Sequence, residues 1–292
     1  MKTPKRIAPL VEDGLVDEVI RQLMSGKEAT IYVVRCGDDI RCAKVYKEAN
    51  QRAFRQAADY QEGRRVKNSR QARAMEKGSR YGRKMQEEVW QNAEVDALYR
   101  LAGAGVRVPQ PYICFEGVLL MELVTDSQGS VAPRLADVEL DTARALELHA
   151  ALLKEVVKML CAGLIHGDLS EYNILVDELG PVIIDLPQAV DAAGNNNAGA
   201  MLERDVENLT TFFSRHVPEL VGTRYGKEIW GLYQGGALHP DVVLTGHVVL
   251  DETPADVAGV LAEVEAVKAE EEARRRRLEE VDEAPLASRG MR

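Results

Sequence analysis

The chain has 292 residues, of which 46% are hydrophobic and 29% charged, and this length suits one large domain or two lobes around a substantial core. No apolar run approaches the ~20 residues of a membrane-spanning helix. The basic N-terminus is not followed by an apolar stretch, so we expect a cytoplasmic protein without an export signal or a membrane partner. The four cysteines form no C-x-x-C pair and are predicted to be buried, reduced thiols.

The net charge of −10 is unevenly distributed along the chain. Residues 50–85 hold 11 Lys and Arg against 3 Asp and Glu, so they carry +8 and the remainder carries −18. A basic island on an acidic protein indicates a local anionic partner, not a general nucleic-acid coat.

A hairpin is predicted near the N-terminus, with strands over residues 30–35 and 40–46. Just before it, Ser25, Gly26 and Lys27 could cover phosphates with their backbone N–H groups and the Lys27 ammonium group. This segment matches neither a Walker A loop nor the Gly-rich loop of kinases, and a plain turn is the alternative.

Lys44 lies inside the second of these strands, between Ala43 and Val45. Its setting resembles that of the strand lysine that pairs with the α- and β-phosphates of ATP in protein kinases. The simpler interpretation of a lone lysine is an exposed side chain on an edge strand. The acidic residues described below favour phosphate binding.

Residues 47–88 are rich in Arg, Lys, Gln, Ala and Ser and nearly free of aliphatic residues, which predicts a flexible or conditionally ordered insertion. Two interpretations stay open for it. One is a solvated helical loop, and the other is an element that contacts RNA or a ribosome, with Tyr60 and Tyr81 as stacking residues. Ser69, Ser79 and Tyr81 are candidate autophosphorylation sites, which would make the chain its own protein substrate.

Apolar residues at helical spacing predict an amphipathic helix over residues 87–102. Glu94 on this helix is predicted to form an ion pair with Lys44, as a helix Glu does with the strand Lys of protein kinases. An exposed helix Glu is the alternative.

A second hairpin is predicted over residues 113–124, and it would complete a five-stranded antiparallel sheet. Its last strand should border an adenine pocket that Met121 narrows, where the backbones of Glu122 and Val124 could hydrogen-bond the base. Residues 126–133 contain Gly and Pro and are the predicted hinge between two lobes.

Residues 135–163 are predicted to form one or two helices that end at Gly163. His149 on this segment is predicted to be a packed or surface residue and not a catalyst. The predicted buried face consists of Leu146, Ala150, Leu153, Val157 and Leu160.

Residues 163–176 have an apolar beginning, a polar centre and an apolar end, so the polar residues are expected on a loop. Asp168 and Asn173 are five apart, the spacing of the kinase catalytic loop, in which the Asp handles the proton of the attacking hydroxyl and the Asn binds a metal. The apolar residues 182–184 then lead to Asp185, the expected second magnesium ligand. Together these residues predict phosphoryl transfer.

The segment after Asp185 is short, and no A-P-E anchor of an activation segment follows it. An amphipathic helix is predicted over residues 201–213, with Glu203 and Asp205 as caps at its start that could buttress the catalytic loop. Residues 251–292 are predicted to form a charged helical tail.

The motifs together resemble the RIO family of atypical protein kinases, most closely its first subfamily in a bacterial form. The L-S-E-Y-N and I-D-x-x-Q motifs are the most specific features of the resemblance. It spans about residues 15–215 and rests on residues 25–29, 43–46, 108–111, 119–122, 166–173, 184–189 and 202–206.

The resemblance implies an α+β, two-lobe protein-kinase-like fold of the reduced RIO type, without an activation loop. The N-lobe would hold an antiparallel sheet plus a helix, and the C-lobe would be mainly helical. The predicted boundaries are residues 1–121 for the N-lobe, 122–250 for the C-lobe and 251–292 for the tail.

The resemblance also implies ATP with Mg²⁺ or Mn²⁺ as ligands, autophosphorylation on serine, and ATPase activity in ribosome assembly. An aspartyl-phosphate, proposed for the family, would fall on Asp185. Gly167 departs from the family, which often has Ala there. Carried over by position, Lys44 and the backbones of Glu122 and Val124 bind ATP, Asp168 is the catalytic base, and Asn173 and Asp185 bind metal.

Two other functions stay open at the sequence level. Aminoglycoside and choline kinases share the H-G-D-x-x-x-x-N pattern, which makes a small-molecule phosphotransferase the first, although Ser170, Glu171 and Tyr172 argue against it. The second is a nucleotide-switched factor that binds RNA or a ribosome through residues 50–85.

Overall fold

The structure, a computed structural model, describes residues 3–47 and 93–248. The predicted basic insertion lies outside these ranges apart from its first residue, as do residues 87–92 of the predicted helix and the whole predicted tail. The candidate stacking and autophosphorylation residues of the insertion are therefore not described. Within the described ranges, no helix combines the length and the apolar character needed to cross a bilayer.

A five-stranded antiparallel sheet confirms the sheet expected from the two predicted hairpins. Lys44 on its middle strand pairs with Ile31 on one side and Leu119 on the other, so it does not lie on an edge strand. The strand order is β1-β2-β3-β5-β4. The strands are β1 (Glu18–Ser25), β2 (Ala29–Cys36), β3 (Asp39–Tyr46), β4 (Pro111–Phe115) and β5 (Val118–Glu122).

A helix covers each face of this sheet, and we call the sheet with its two helices the N-lobe. Successive strand residues point to opposite faces, and on β5 Leu120 belongs to a small core with α1 (Ala8–Glu12), whereas Leu119 belongs to the main core with α2. Helix α2 is described over residues 93–103, which confirms that part of the predicted helix.

The described residues after the segment between the lobes, 134–248, form the C-lobe, which is mainly helical. Its helices α3 (Thr142–Cys161), α4 (Ala198–Ser214) and α5 (Tyr225–Gln234) pack on one another, and short 3-10 helices lie at Leu135–Asp137, Glu171–Asn173 and Pro218–Leu220. Two small antiparallel ladders join β6 (Leu164–Ile165) to β9 (Val190–Asp191) and β7 (Ile174–Asp177) to β8 (Gly180–Ile183). The α+β prediction is confirmed, and the predicted boundary residues of the lobes stay predictions.

The predicted buried face of α3 is partly wrong. Leu146 is 45% exposed and Ala150 is also exposed, whereas Leu153, Val157 and Leu160 are buried. The helix is apolar over much of its circumference, so more than one stripe fits the helical period. The stripe that packs is instead made of Ala145, Leu148, Leu152, Val156 and Met159.

The segment between the lobes forms a closed turn. The Asp126 carboxylate accepts hydrogen bonds from the backbone N–H groups of Gln128 and Ser130, each at 2.9 Å. Thr125 and Val131 form an isolated β-bridge across its base. The predicted hinge is therefore a compact connection stabilised by its own side chain.

Two smaller expectations are corrected by the structure. Glu203 and Asp205 lie in the middle of α4 and not at its start, because the helix begins five residues before Glu203. The cysteines are all free, as expected, but Cys42 alone is fully buried, while Cys114 and Cys161 are exposed. His149 is buried, in agreement with its prediction as a packed residue.

Candidate active site

A cleft of about 600 Å³ lies between the N-lobe sheet and the C-lobe. Its size is typical of sites for small molecules and cofactors. The residues around it come from the turn after β1, from β3 and β5, from the inter-lobe segment and from the chain on either side of the β7–β8 ladder. Eight of them are residues that the sequence singles out: Gly26, Lys27, Lys44, Met121, Glu122, Val124, Asn173 and Asp185.

Lys44 is the centre of the charged groups in this cleft. It is only 7% exposed, and its ammonium group donates to Glu94 Oε1 and, at 3.0 Å, to Asp185 Oδ1. Burial alone would lower the pKa of Lys44, but the two carboxylates outweigh it and raise that pKa above its ordinary value. Lys44 therefore stays charged, and the predicted Lys44–Glu94 ion pair is confirmed.

Asp185 follows β8 in a left-handed backbone conformation, with φ +66°. Residues other than glycine adopt this region rarely and at a cost of about 1 kcal/mol. The conformation aims the carboxylate into the cleft, where its side chain is 51% exposed and contacts Lys44. Burial would raise the pKa of Asp185, but the Lys44 charge and hydrogen bond outweigh it and lower that pKa, so the carboxylate is ionised at neutral pH.

The loop of residues 166–173, which we call the catalytic loop, is held by His166. This side chain is buried, and its Nδ1 accepts from the Asp168 N–H at 3.3 Å. The proton of the neutral imidazole is then on Nε2, which lies 3.1 Å from the Ile184 carbonyl. His166 therefore ties Asp168 to the residue that precedes Asp185.

Asp168 is exposed on this loop and bonded to Asn173 through its backbone carbonyl. Burial of part of the carboxyl raises the pKa of Asp168; the positive charge of Arg204 counteracts this increase and the negative charge of Asp185 adds to it. A carboxylate with a raised pKa is a better proton acceptor than an ordinary aspartate.

Asn173 and Asp185 fit a magnesium ion by the chemistry of their donor atoms. The Asn173 amide nitrogen donates to the Asp168 carbonyl at 2.8 Å, so its amide oxygen is the atom left for a cation. In the described residues, no group of three or more His, Cys, Asp or Glu side chains is arranged to hold a metal by itself. Mg²⁺ is commonly bound by one or two protein ligands together with phosphates and water, so two oxygen ligands suffice.

Side chains of helix α4 hold the backbone of the catalytic loop through hydrogen bonds. The Asp205 carboxylate is 1% exposed and accepts from the N–H groups of Gly167, at 2.7 Å, and Leu169, at 3.1 Å. Arg204 donates to the Gly167 carbonyl, and Asn208 donates to the Leu169 carbonyl at 3.1 Å. The predicted buttress by Asp205 is confirmed.

The backbone next to Met121 is partly occupied by the protein itself. The Glu122 N–H donates to the Gln110 carbonyl at 2.8 Å, and the Val124 carbonyl accepts from Ala132 at 3.0 Å. Of the backbone groups of Glu122 and Val124, the Glu122 carbonyl and the Val124 N–H therefore remain for the predicted hydrogen bonds to a base.

Three predicted residues do not line the cleft. Ser25 is exposed, and its hydroxyl lies 3.2 Å from that of Thr30. Glu94 lies behind Lys44 and borders a small separate cavity of about 30 Å³. Asp168 is linked to the cleft through its bond to Asn173.

The structure also places at the cleft three residues that the sequence did not indicate as cleft residues. Arg134, Asp137 and Tyr172 line the C-lobe wall of the cleft. Arg134 donates to the Met24 sulfur at 3.6 Å and so reaches the end of β1 across the cleft mouth. Arg134 and Asp137 belong to no local pattern, because they reach the cleft only by folding, whereas Tyr172 lies in the L-S-E-Y-N motif. Asn208 could have been found, since it is four residues after Arg204 and three after Asp205 on one helix face.

Comparison with known proteins identifies the family of this chain. The RIO domain family matches residues 30–225. The RIO-type serine/threonine-protein kinase Rio1 of Haloferax volcanii is 36% identical over 213 residues, which is 72% of this chain and 68% of that protein. The human serine/threonine-protein kinase RIO1 is 31% identical over 205 residues, 70% of this chain but only 34% of the human protein.

A solved structure has the same fold. The Rio2 kinase–ADP/Mg²⁺–phosphoaspartate complex of Chaetomium thermophilum superposes with a TM-score of 0.56 and 22% identity, covering 81% of this chain and 68% of that one. This likeness shows the two-lobe kinase fold, and the segment after Asp185 agrees with the reduced type, since only residues 186–197 separate Asp185 from α4. From its sequence match, its fold and its cleft, this chain belongs to the RIO family of serine/threonine protein kinases.

Proposed function

We propose that this chain binds ATP with Mg²⁺ in the cleft and transfers the γ-phosphoryl group to a serine or threonine hydroxyl. The proposal is carried by one observation: the Lys44 ammonium group lies 3.0 Å from Asp185 Oδ1 although 141 positions separate them, in the cleft that Asn173 also lines. A fixed cation beside two oxygen ligands is the arrangement that phosphoryl transfer requires.

Nucleotide binding uses the N-lobe and the inter-lobe segment. The Glu122 carbonyl and the Val124 N–H hydrogen-bond the base, and Met121 closes the inner end of its pocket. Lys44, held by Glu94, contacts the phosphates, and the turn at Gly26 and Lys27 covers them. Ser25 is the last residue of β1, and Gly26 and Lys27 follow it directly, so Lys27 lines the cleft while the Ser25 hydroxyl stabilises the turn.

The chemical step uses Asp168. The acceptor hydroxyl attacks the γ-phosphorus, the bond from that phosphorus to the ADP oxygen breaks, and the hydroxyl proton passes to the Asp168 carboxylate. The raised pKa of this carboxyl favours that proton transfer. Asn173 and Asp185 would hold magnesium, which when bound neutralises negative charge on the phosphates.

The test is incubation with ATP labelled in the γ-phosphate and Mg²⁺, with protein-bound label and free phosphate followed together. Transfer to the protein or to an added acceptor, lost in Asp168→Asn, supports the proposal. No label transfer and no phosphate release at saturating Mg–ATP would refute it.

A second route has an observation of its own in its favour. Lys44 contacts only Oδ1 of Asp185, and the half-exposed carboxylate faces the cleft. The solved relative carries a phosphoaspartate. We propose that Asp185 is a phosphoryl acceptor: a carboxylate oxygen attacks the γ-phosphorus, ADP leaves, and water later hydrolyses the acyl phosphate, giving ATPase activity. Release of protein-bound label by hydroxylamine distinguishes this acyl phosphate from phosphoserine, which is stable to that reagent.

The RNA or ribosomal partner and the protein substrate are also proposals. Residues 50–85, the predicted contact with RNA or a ribosome, lie outside the described residues, and the protein substrate is unassigned. Cytoplasmic location stays a prediction as well. A coupled assay with aminoglycosides and choline tests the small-molecule alternative, and turnover that depends on either compound would replace the protein-kinase proposal.

A further inference from the structure

Tyr46 contacts the charged centre of the cleft from a position that the proposed chemistry does not use. Its side chain is 3% exposed, and its phenol hydroxyl donates to Glu94 Oε2 at 2.8 Å. Lys44 donates to the other oxygen, Oε1. Both oxygens of this buried carboxylate are therefore bound by neighbours on the same strand.

The geometry of β3 explains why these two residues share one carboxylate. Lys44 and Tyr46 are two positions apart on the strand, so their side chains point to the same face of the sheet. The Tyr46 backbone is itself fixed, since its N–H donates to Gly117 at 3.0 Å and its carbonyl accepts from Arg6 at 2.8 Å. The phenol oxygen thus has little freedom to move.

Lys44 donates hydrogen bonds to two carboxylates at once, those of Glu94 and Asp185. The position of its ammonium group therefore depends on how the second oxygen of Glu94 is bound. If Oε2 had no donor, the buried carboxylate would be half satisfied, which is costly in a region closed to water. The nearest way to satisfy it is for the ammonium group to move between both Glu94 oxygens. That movement would take Lys44 away from Asp185 and from the phosphates.

We propose that Tyr46 is a positioning residue for Lys44, acting through the second oxygen of Glu94. Because the Tyr46 hydroxyl occupies Oε2 of Glu94, the Lys44 ammonium group does not move toward that oxygen. Lys44 therefore stays within reach of Asp185 and of the phosphates. This inference rests on the proposed phosphoryl-transfer function and assigns a role in it to Tyr46, for which the motifs by themselves imply none.

The test is a double-mutant cycle in the full chain with Tyr46→Phe and Glu94→Ala. For each variant, kcat and KM for Mg–ATP are measured, together with the Kd for Mg–ATP. Tyr46→Phe is expected to lower kcat/KM by about tenfold, the loss expected for a hydrogen bond to a charged group. In the Glu94→Ala background the same substitution should change kcat/KM less than about twofold, because no carboxylate remains to be held.

Tyr112→Phe is the matched control. Tyr112 also lies on the N-lobe sheet, but it is 43% exposed and its ring stacks on Arg41. Loss of its hydroxyl should leave kcat/KM unchanged. Urea unfolding of each variant separates lost positioning from lost folding. If Tyr46→Phe does not fold, Tyr46→His, which keeps a donor, is compared with Tyr46→Leu, and only the first should retain activity.

An unchanged kcat/KM in Tyr46→Phe, or an equal loss with and without Glu94, would overturn the inference. Failure of the proposed function looks different: the unsubstituted chain itself would show no turnover. If that chain still binds Mg–ATP, the Kd values of the unsubstituted chain, the two single variants and the double variant decide the role of Tyr46 by the same comparison.

Discussion

The backbone N–H of Arg107 donates to the Glu155 carboxylate at 2.8 Å, which joins the segment after α2 to helix α3 in the other lobe. The Arg107 carbonyl also accepts from Ile183 on β8 at 2.8 Å, and its guanidinium group pairs with Asp177 on β7. One residue thus contacts three C-lobe elements. The helix that carries Glu94 is therefore anchored to the lobe that carries Asp185.

The first prediction concerns this anchor. Glu155→Ala should destabilise the protein by about 1–3 kcal/mol, because the partly buried Arg107 N–H loses its acceptor and Lys158 loses its 2.7 Å ion pair. The measurement is urea unfolding followed by circular dichroism. Glu147→Ala on the same helix is the control, since that side chain is 68% exposed and should change stability by less than about 0.5 kcal/mol. Equal effects of the two substitutions would contradict the assignment.

The second prediction concerns the proton acceptor. Asp168→Asn should lower kcat by roughly 10²- to 10⁴-fold, because an amide cannot take the hydroxyl proton. The KM for ATP should stay nearly constant, since Asp168 does not line the cleft. Steady-state kinetics with labelled ATP measure both values. Glu178→Gln, an exposed carboxylate nearby in the chain, should behave like the unsubstituted protein.

The third prediction concerns the support under the catalytic loop. Asp205→Asn replaces one acceptor oxygen by an NH₂ group that faces an N–H, so one of the two loop contacts is lost. A displacement of the loop by even 1 Å can cost about 10²-fold in rate, and we expect kcat to fall by roughly tenfold or more. Glu207→Gln on an exposed position of α4 is the control. An unchanged kcat in Asp205→Asn would show that the loop does not depend on this residue.

The fourth prediction is a pH dependence of stability. Burial between Phe213 and Tyr225 lowers the pKa of His149 from 6.5 to about 4. The unfolded chain therefore binds a proton on His149 at a higher pH than the folded chain does. The stability that neutral His149 contributes to the folded state is fully present above pH 6.5 and is lost as the pH falls toward 4. At pH 5 the loss is on the order of 2 kcal/mol. His149→Phe should abolish this loss of stability at pH 5.

The measurement is the urea midpoint of both proteins at pH 7 and pH 5. Asp205 has the opposite effect on the pH dependence of stability. Burial raises the pKa of Asp205 to about 6, so this carboxyl is protonated at a higher pH in the folded chain than in the unfolded chain. Proton binding therefore stabilises the folded chain as the pH falls below 6. The unsubstituted protein should therefore change little between the two pH values, and His149→Phe should gain stability at pH 5. An exposed-site control, His239→Gln, should not differ from the unsubstituted protein. A pH-independent difference for His149→Phe would refute the prediction.

Much of the site could be predicted because its residues lie in locally recognisable patterns. Lys44 follows the alternation of a strand, and Asp168 and Asn173 have a characteristic spacing. Their convergence required an analogy with protein kinases, since sequence patterns alone give no distance between residues far apart in the chain. The Lys44–Glu94 contact was predicted in this way and is present.

The parts that failed depend on tertiary packing. The buried stripe of α3 could not be chosen among overlapping apolar stripes without knowing where α4 and α5 pack. Arg134 reaches the cleft because the isolated bridge between Arg134 and Leu175 places it there, and no local periodicity encodes that bridge. Glu203 and Asp205 were placed at a helix start because the small residues before them gave no apolar period to extend the helix.

The short chain between Asp185 and α4 has a consequence for control. The β6–β9 ladder ties it back to the residues before the catalytic loop, Asp191 accepts from the N–H groups of Ala193 and Gly194, and Ala192 donates to the Gly163 carbonyl. Because these hydrogen bonds hold the segment in place, we do not expect phosphorylation to rearrange it beneath the catalytic residues. We therefore expect any regulation of turnover to act elsewhere, on the relative position of Lys44 and Asp185 or on access to the cleft mouth.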